Sequence, residues 1–212
     1  MNWRLEGPRL DKVDWKTQAS SLVCSIYIRS QGTAREQVDI ANLATDHRLD
    51  LETLMSRLAY LGDCNAAECW AGMKVVITNE GIRVVEDMIR QKLEGRVADT
   101  SVTQLLMAAT PIWEELEWMR FRFVRSVFVL AGEEAMEGVD YALAEETSNL
   151  GSHYSPVMDY LKFLNVISDE MAQLVVTRPG AEWLGEVLTE LGATSPDDSI
   201  SRGEYWGLLR QS

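Results

Sequence analysis

An internal duplication at a spacing of about 101 residues governs the plan of this chain. Val23-Cys24-Ser25-Ile26-Tyr27-Ile28 matches Val124-Arg125-Ser126-Val127-Phe128-Val129, and Val38-Asp39-Ile40-Ala41 matches Val139-Asp140-Tyr141-Ala142 at the same offset. Leu54-Met55-Ser56-Arg57-Leu58-Ala59-Tyr60-Leu61 then matches Val157-Met158-Asp159-Tyr160-Leu161-Lys162-Phe163-Leu164 at an offset of 103, and Val76-Ile77-Thr78-Asn79-Glu80-Gly81 matches Val175-Val176-Thr177-Arg178-Pro179-Gly180 at 99. Four blocks keep their order while insertions fall between them, which is how a duplicated domain behaves when its loops are free to change.

Each copy reads alike. An apolar helix is followed by a short helix, ending near Thr45-Asp46 and near Glu146-Thr147. A third helix comes next. In copy one it is capped by Asp50, and Leu51, Leu54, Met55, Leu58 and Leu61 supply its inward stripe. In copy two Ser155 is the expected cap, with Pro156 at the first helical position. The periodicity then changes to that of a hairpin. Its turn is placed at Ala71-Gly72 in copy one and at Asp169-Glu170 in copy two. A last helix runs from Ile82 to about Leu93, and from Ala181 to about Leu191.

Helix, helix, helix, hairpin, helix is the order of the winged-helix fold. The junctions Val-Ile-Thr-Asn-Glu-Gly-Ile and Val-Val-Thr-Arg-Pro-Gly-Ala resemble the I-T-x-x-G end of the wing in many such domains, over about residues 20–95 and 120–190. The expected fold is therefore mainly α with small β-hairpins, an α+β chain of two winged-helix domains in tandem joined by a helical linker. Domain 1 spans 1–97 with an N-terminal extension, the linker 98–119, domain 2 120–191 and a C-terminal tail 192–212. Val102–Ala109 and Ile112–Met119 are both helix-like and separated by Thr110-Pro111, which predicts a kinked helical connection that packs the domains together. The tail, with Tyr205-Trp206-Gly207-Leu208-Leu209, either folds back on the core or serves as a docking peptide.

In length, acidity and domain plan the chain is similar to the tandem winged-helix subunits that clamp the kleisin of chromosome-organising complexes, and to those of the ESCRT-II complex. That resemblance implies a connector and carries over no partner-binding residue. With 46% apolar and 25% charged residues, the composition is that of an ordinary globular protein. The charge is uneven. Residues 1–100 hold 13 Lys/Arg against 15 Asp/Glu, and residues 101–212 hold 7 against 18. Such an acidic half repels a phosphate backbone unless its few cations cluster, and it suits a basic partner or simply solubility.

Catalytic material is sparse. No phosphate-binding, dinucleotide, zinc-protease, nucleophile-elbow or EF-hand motif is present, and the expectation is a non-enzymatic protein without cofactor or metal. His47 and His153 are read as surface or capping residues. Glu114-Glu115-Glu117, Glu133-Glu134-Glu137 and Glu145-Glu146 are read as solvated helix faces. Cys24 lies in an apolar run and is read as a small hydrophobe, while Cys64 and Cys69 flank a turn without a histidine nearby. No signal pattern and no apolar run of membrane-spanning length is found, so a cytoplasmic location without membrane contact is expected.

The choice is between a DNA reader and a protein connector. In DNA-binding winged helices the third helix enters the major groove and basic wing residues reach phosphate. In copy one the outward set is taken as Glu52, Thr53, Ser56, Arg57 and Tyr60. Thr53, Ser56, Arg57, Tyr60 and the wing residue Lys74 are the candidate DNA contacts. In copy two Tyr154, Pro156, Asp159, Tyr160 and Phe163 form an aromatic, acidic face, the candidate site for a protein partner or a second copy. Packing of that face against copy one or the linker is the alternative. The favoured expectation is a connector that binds a protein partner or forms a homodimer; the alternative is a transcription regulator touching DNA through domain 1.

Overall fold

The computed structural model describes residues 17–96, 100–132 and 138–210. The N-terminal extension and the cluster Glu133-Glu134-Glu137 lie outside them. The chain is mainly helical, with small antiparallel sheets, and divides into two units, Leu10–Glu114 and Glu115–Ser212.

In the first unit α1 (Thr17–Arg29) is followed by β1 (Val38–Asp39), α2 (Ile40–His47), α3 (Leu51–Asp63), β2 (Ala67–Trp70), β3 (Lys74–Ile77) and α4 (Asn79–Leu93). Then comes α5 (Thr100–Ala131), which contributes residues to both units. The second unit continues with α6 (Tyr141–Ser148), a 3-10 turn at Gly151–His153, α7 (Tyr154–Phe163), β4 (Ile167–Glu170), β5 (Gln173–Val176), α8 (Arg178–Glu190) and α9 (Arg202–Leu209).

The repeat is visible in the details of how elements begin and end. Asp39 and Asp140, 101 residues apart, cap α2 and α6 by accepting from the amides of Ala41 and Ala142 at 2.8 and 2.9 Å. Both short helices end on a left-handed residue, Arg48 (φ 50°) and Asn149 (φ 51°). Thr78 and Thr177 cap α4 and α8, accepting from Gly81 N at 3.0 Å and Gly180 N at 3.2 Å. Each threonine hydroxyl also donates to a carbonyl in the turn after the third helix, Asn65 O at 2.5 Å and Asn165 O at 2.6 Å. Those asparagines are themselves left-handed, with φ of 54° and 57°. The glycines are required sterically, since a Cβ on Gly81 or Gly180 would fall on the carbonyl of Ala66 or Val166. Threonine followed three residues later by glycine thus pins the hairpin, the preceding turn and the last helix to one another.

Both hairpins have the same frame. β3 lies between β1 and β2, with Val38 opposite Val75 and Cys69 opposite Val75 on its other side. β4 pairs with β5, and Val139 bridges Leu174 where β1 would stand. The sequence reading missed this short outer strand, because two residues carry no periodicity.

Apolar burial completes each unit. Leu22, Val23, Ile26, Leu43, Leu54, Leu58, Leu61, Val75, Ile77 and Val85 fill the first; Phe123, Val124, Val127, Val157, Leu161, Ile167, Leu174, Val176 and Leu184 fill the second. Cys24 belongs to the first core, and burial pushes its thiol up to about 12, too high for a nucleophile.

Three local expectations are corrected. The second hairpin turns at Met171-Ala172, with φ of 48° and 64°, and not at Asp169-Glu170, which are paired strand residues. Two central residues at positive φ normally announce themselves as Asn-Gly, so Met-Ala hides the turn. Helix α7 begins at Tyr154 after the 3-10 turn, with no side-chain cap, so Ser155 and Pro156 stand within its first turn. A proline there loses nothing, because the first four amides of a helix have no intrahelical acceptor. Thr110-Pro111 does not divide the connection: α5 runs through it, and the Thr110 hydroxyl donates to Leu106 O at 2.7 Å. No described helix is long and apolar enough to cross a membrane.

Candidate interaction surfaces on the third helix and hairpin

Helix α3 is held at its start by Asp50, whose carboxylate accepts from the Thr53 amide and hydroxyl, both at 2.8 Å. Those bonds hold the Asp50 carboxyl below the usual range. Leu54, Leu58 and Leu61 turn inward, while Leu51, Glu52, Met55, Ser56, Ala59 and Asp63 are all exposed. Leu51 is 50% and Met55 37% exposed, so two residues expected in the core face solvent. The physical reason is spacing. Buried positions 54, 58 and 61 define a narrow stripe, and residues 51 and 55 sit about 50° and about 90° to one side of its axis. Of the candidate DNA contacts only Ser56 is exposed, whereas Thr53, Arg57, Tyr60 and Lys74 are half-buried.

The wing cation is already engaged. Lys74 Nζ lies 2.9 Å from Asp39 Oδ2, and that bond together with the Ala41 amide holds the Asp39 carboxyl low. Nearby on the hairpin the exposed side chains are Trp70 at 52% and Met73 at 43%. Arg57 has no ion-pair partner among the described residues. It lies close to His47, whose Nε2 is 2.9 Å from Ser25 Oγ. Burial, with the Arg57 charge adding to it against Asp46, keeps the His47 imidazole below its ordinary value.

The second unit does not place its aromatic residues as expected. Tyr160 is 3% exposed and carries the Arg120 guanidinium over its ring at 3.9 Å; Arg120 in turn bonds Glu117 at 2.7 Å. Tyr154 is 7% exposed, packs edge-on against Phe123 and donates to Tyr141 O at 3.1 Å. Burial, with Glu145 next, raises the Tyr154 phenol to about 12. The expectation that these two rings present an outward face is therefore wrong: α5, the helix they pack on, supplies partners that a pattern read along α7 alone cannot reveal. Pro156, Asp159 and Phe163 are half-buried, with the Phe163 ring tilted by 30° against Tyr160 at 6.0 Å.

Charge on this side of the second unit is also internally matched. Lys162 Nζ bonds Asp169 at 2.7 Å across from helix to hairpin, and the Tyr141 hydroxyl donates to the same carboxylate. Lys162 and Tyr141 hold the Asp169 carboxyl low; for the lysine, desolvation pulls down but the Asp169 and Tyr141 bonds outweigh it and leave the ammonium raised. Arg122 donates to Ser148 O, Arg125 to the carbonyls of Pro196 and Asp198, Arg178 pairs with Glu182, and Arg202 with Glu115. Six cations of this half are thus committed to partners inside their own unit.

Compared with known proteins, the chain matches no family model and no curated protein. The internal repeat is then the main guide to what the surfaces do. Among the described residues no three His, Cys, Asp or Glu side chains gather as metal ligands would. Leu51, Met55 and the hairpin-tip methionines Met73 and Met171, the last 97% exposed, are the features that the sequence reading overlooked. The signal that could have found Leu51 and Met55 is the i, i+4, i+7 set Leu54, Leu58 and Leu61, which fills a helix stripe without them.

Proposed function

We propose that this chain is a non-enzymatic adaptor made of two winged-helix domains in tandem, which binds a protein partner or a second copy of itself through the outward face of α3 and its hairpin. Support for the winged-helix reading is the shared element order of the two units and their matching threonine-glycine junctions.

The observation that carries the adaptor reading is the outward stripe of α3, where Leu51, Met55 and Ala59 stand beside Glu52 and Asp63. A major-groove reader needs polar groups and cations there, because base edges present hydrogen-bond donors and acceptors and phosphates carry negative charge. Leucine and methionine offer neither. They do offer desolvation against an apolar partner, and an unbranched methionine adapts to its contour.

The second reading is a DNA-binding regulator. Arg57 favours it, being a cation on α3 whose charge no carboxylate neutralises among the described residues. Gel shift at low salt with DNA fragments separates the two. The adaptor reading expects no sequence-dependent complex at submicromolar protein. It fails if such a complex forms and is abolished by Arg57→Glu with Lys74→Glu.

A further inference from the structure

Apolar surface in the second unit is filled from within the chain. Tyr205 of α9 is fully buried with its ring 4.6 Å from that of Phe121, so the C-terminal tail folds back on the core. The outward face of α3 has no such cover, and Leu51 and Met55 stand exposed on it. Helical geometry lays out what surrounds them. Glu52 and Asp63 lie on one line along the helix, about three turns or about 16 Å apart. Between them on that line are the short side chains of Ser56 and Ala59, and Leu51 and Met55 line one side of it.

Charge on this face is unmatched. Elsewhere in the first unit Asp39, Asp46, Glu80, Asp87 and Glu94 each hold a lysine or an arginine. Glu52 and Asp63 are exposed and have no cation among the described residues, and the same holds for Glu68 on β2, the strand that packs against α3. The two cations nearest in sequence pair with neither helix carboxylate. Arg48 stands in the turn before α3, and Arg57 lies about 160° round the helix from Met55.

An apolar stripe edged by uncompensated carboxylates selects its occupant by charge. A second copy is disfavoured, because two-fold pairing of this face sets its carboxylates against those of the other copy. Nucleic acid is repelled for the same reason. A helix with lysine or arginine beside its apolar residues is attracted on both counts, and the short side chains of Ser56 and Ala59 let it approach closely. We propose, on the reading of α3 as the contact surface, that its outward face receives a basic amphipathic helix of another protein. The apolar stripe of that helix covers Leu51 and Met55, and two of its cations, about three turns apart, meet Glu52 and Asp63.

The test uses the full-length chain, with the Met55 methyl signal in NMR as the readout and two synthetic amphipathic helices as probes. Both probes carry the same leucine-alanine stripe; beside it one has two lysines about three turns apart and the other two glutamates. The lysine probe should move the Met55 signal saturably, and the glutamate probe should bind about tenfold more weakly. Glu52→Lys with Asp63→Lys should reverse that preference. Glu186→Lys with Glu190→Lys, an equal change in net charge at exposed positions of α8, should leave it intact. Equal binding of the two probes to the wild-type chain, which needs no variant to fold, overturns the proposal while the contact surface stands. An equal effect of the α8 pair overturns it in the same way. A Met55 signal that ignores both probes but moves on dilution of the chain alone gives the face to a second copy and overturns it too. If Met55 answers neither probe nor dilution, the reading of α3 as a contact surface fails with the proposal.

Discussion

The Arg120 guanidinium sits 3.9 Å from the centre of the Tyr160 ring and donates from Nη1 to the carboxylate of Glu117 at 2.7 Å. A carboxylate, a cation and a ring form one buried cluster, so Tyr160 stabilises the second unit. Tyr160→Ala should cost about 3 kcal/mol in urea unfolding, as truncation of a buried ring does. Met55→Ser, on an exposed position of similar helical context, should cost under about 0.5 kcal/mol. Equal effects of the two substitutions would contradict the assignment of buried and exposed faces.

Replacing glycine by alanine inside a helix normally stabilises it by about 1 kcal/mol. At Gly81 and Gly180 the sign should reverse, because a methyl group meets the carbonyl of Ala66 or Val166. Gly81→Ala and Gly180→Ala should each destabilise by about 1–3 kcal/mol. Gly185→Ala, where a Cβ would meet open space on the same helix as Gly180, is the control and should be neutral or stabilising. Thermal unfolding of the three variants checks this.

Stability should depend on pH through His47. Its imidazole is held below its ordinary value in the fold, first by burial and then by Arg57. In the window below the unfolded value, near 6.5, the unfolded chain binds the proton more readily than the folded one. Stability is therefore present above that window and falls as pH falls through it. The melting temperature of the wild type should drop between pH 7.5 and pH 5.5, and His47→Gln should flatten that slope. The carboxyls of Asp39, Asp50 and Asp169, all held low, lose their contributions only at more acidic pH. A wild-type slope unchanged in His47→Gln would remove His47 as the cause.

The two-copy plan was legible because duplication preserves what the backbone needs. Asp39 and Asp140, Thr78 and Thr177, Gly81 and Gly180 each perform a local task that a neighbouring amide or carbonyl imposes, so spacing alone points to them. Asn65 and Asn165 were equally legible and were overlooked; a left-handed residue after the third helix recurs 100 positions on. The site was harder. Whether Tyr160 is surface or core depends on Arg120, forty positions away on another helix, and no periodicity within α7 encodes that contact. The turn at Met171-Ala172 was hidden for a different reason, since neither residue favours the positive φ it adopts.

The outward stripe of α3 should matter to partner capture and not to folding. Leu51→Glu combined with Met55→Glu should leave the melting temperature within about 2 °C, since surface changes seldom exceed about 0.5 kcal/mol. Pull-down from the native cell extract should lose its stoichiometric protein with this double variant and keep it with Arg57→Glu. The opposite pattern would move the contact from the apolar stripe to the cation.

The most direct measurement is photo-crosslinking inside the cell from a benzophenone side chain installed at position 55, followed by mass spectrometry of the adducts. The account predicts a discrete polypeptide adduct, to another protein or to a second copy of this chain. Crosslinks to nucleic acid alone, or no adduct from position 55 while one forms from position 57, would contradict it.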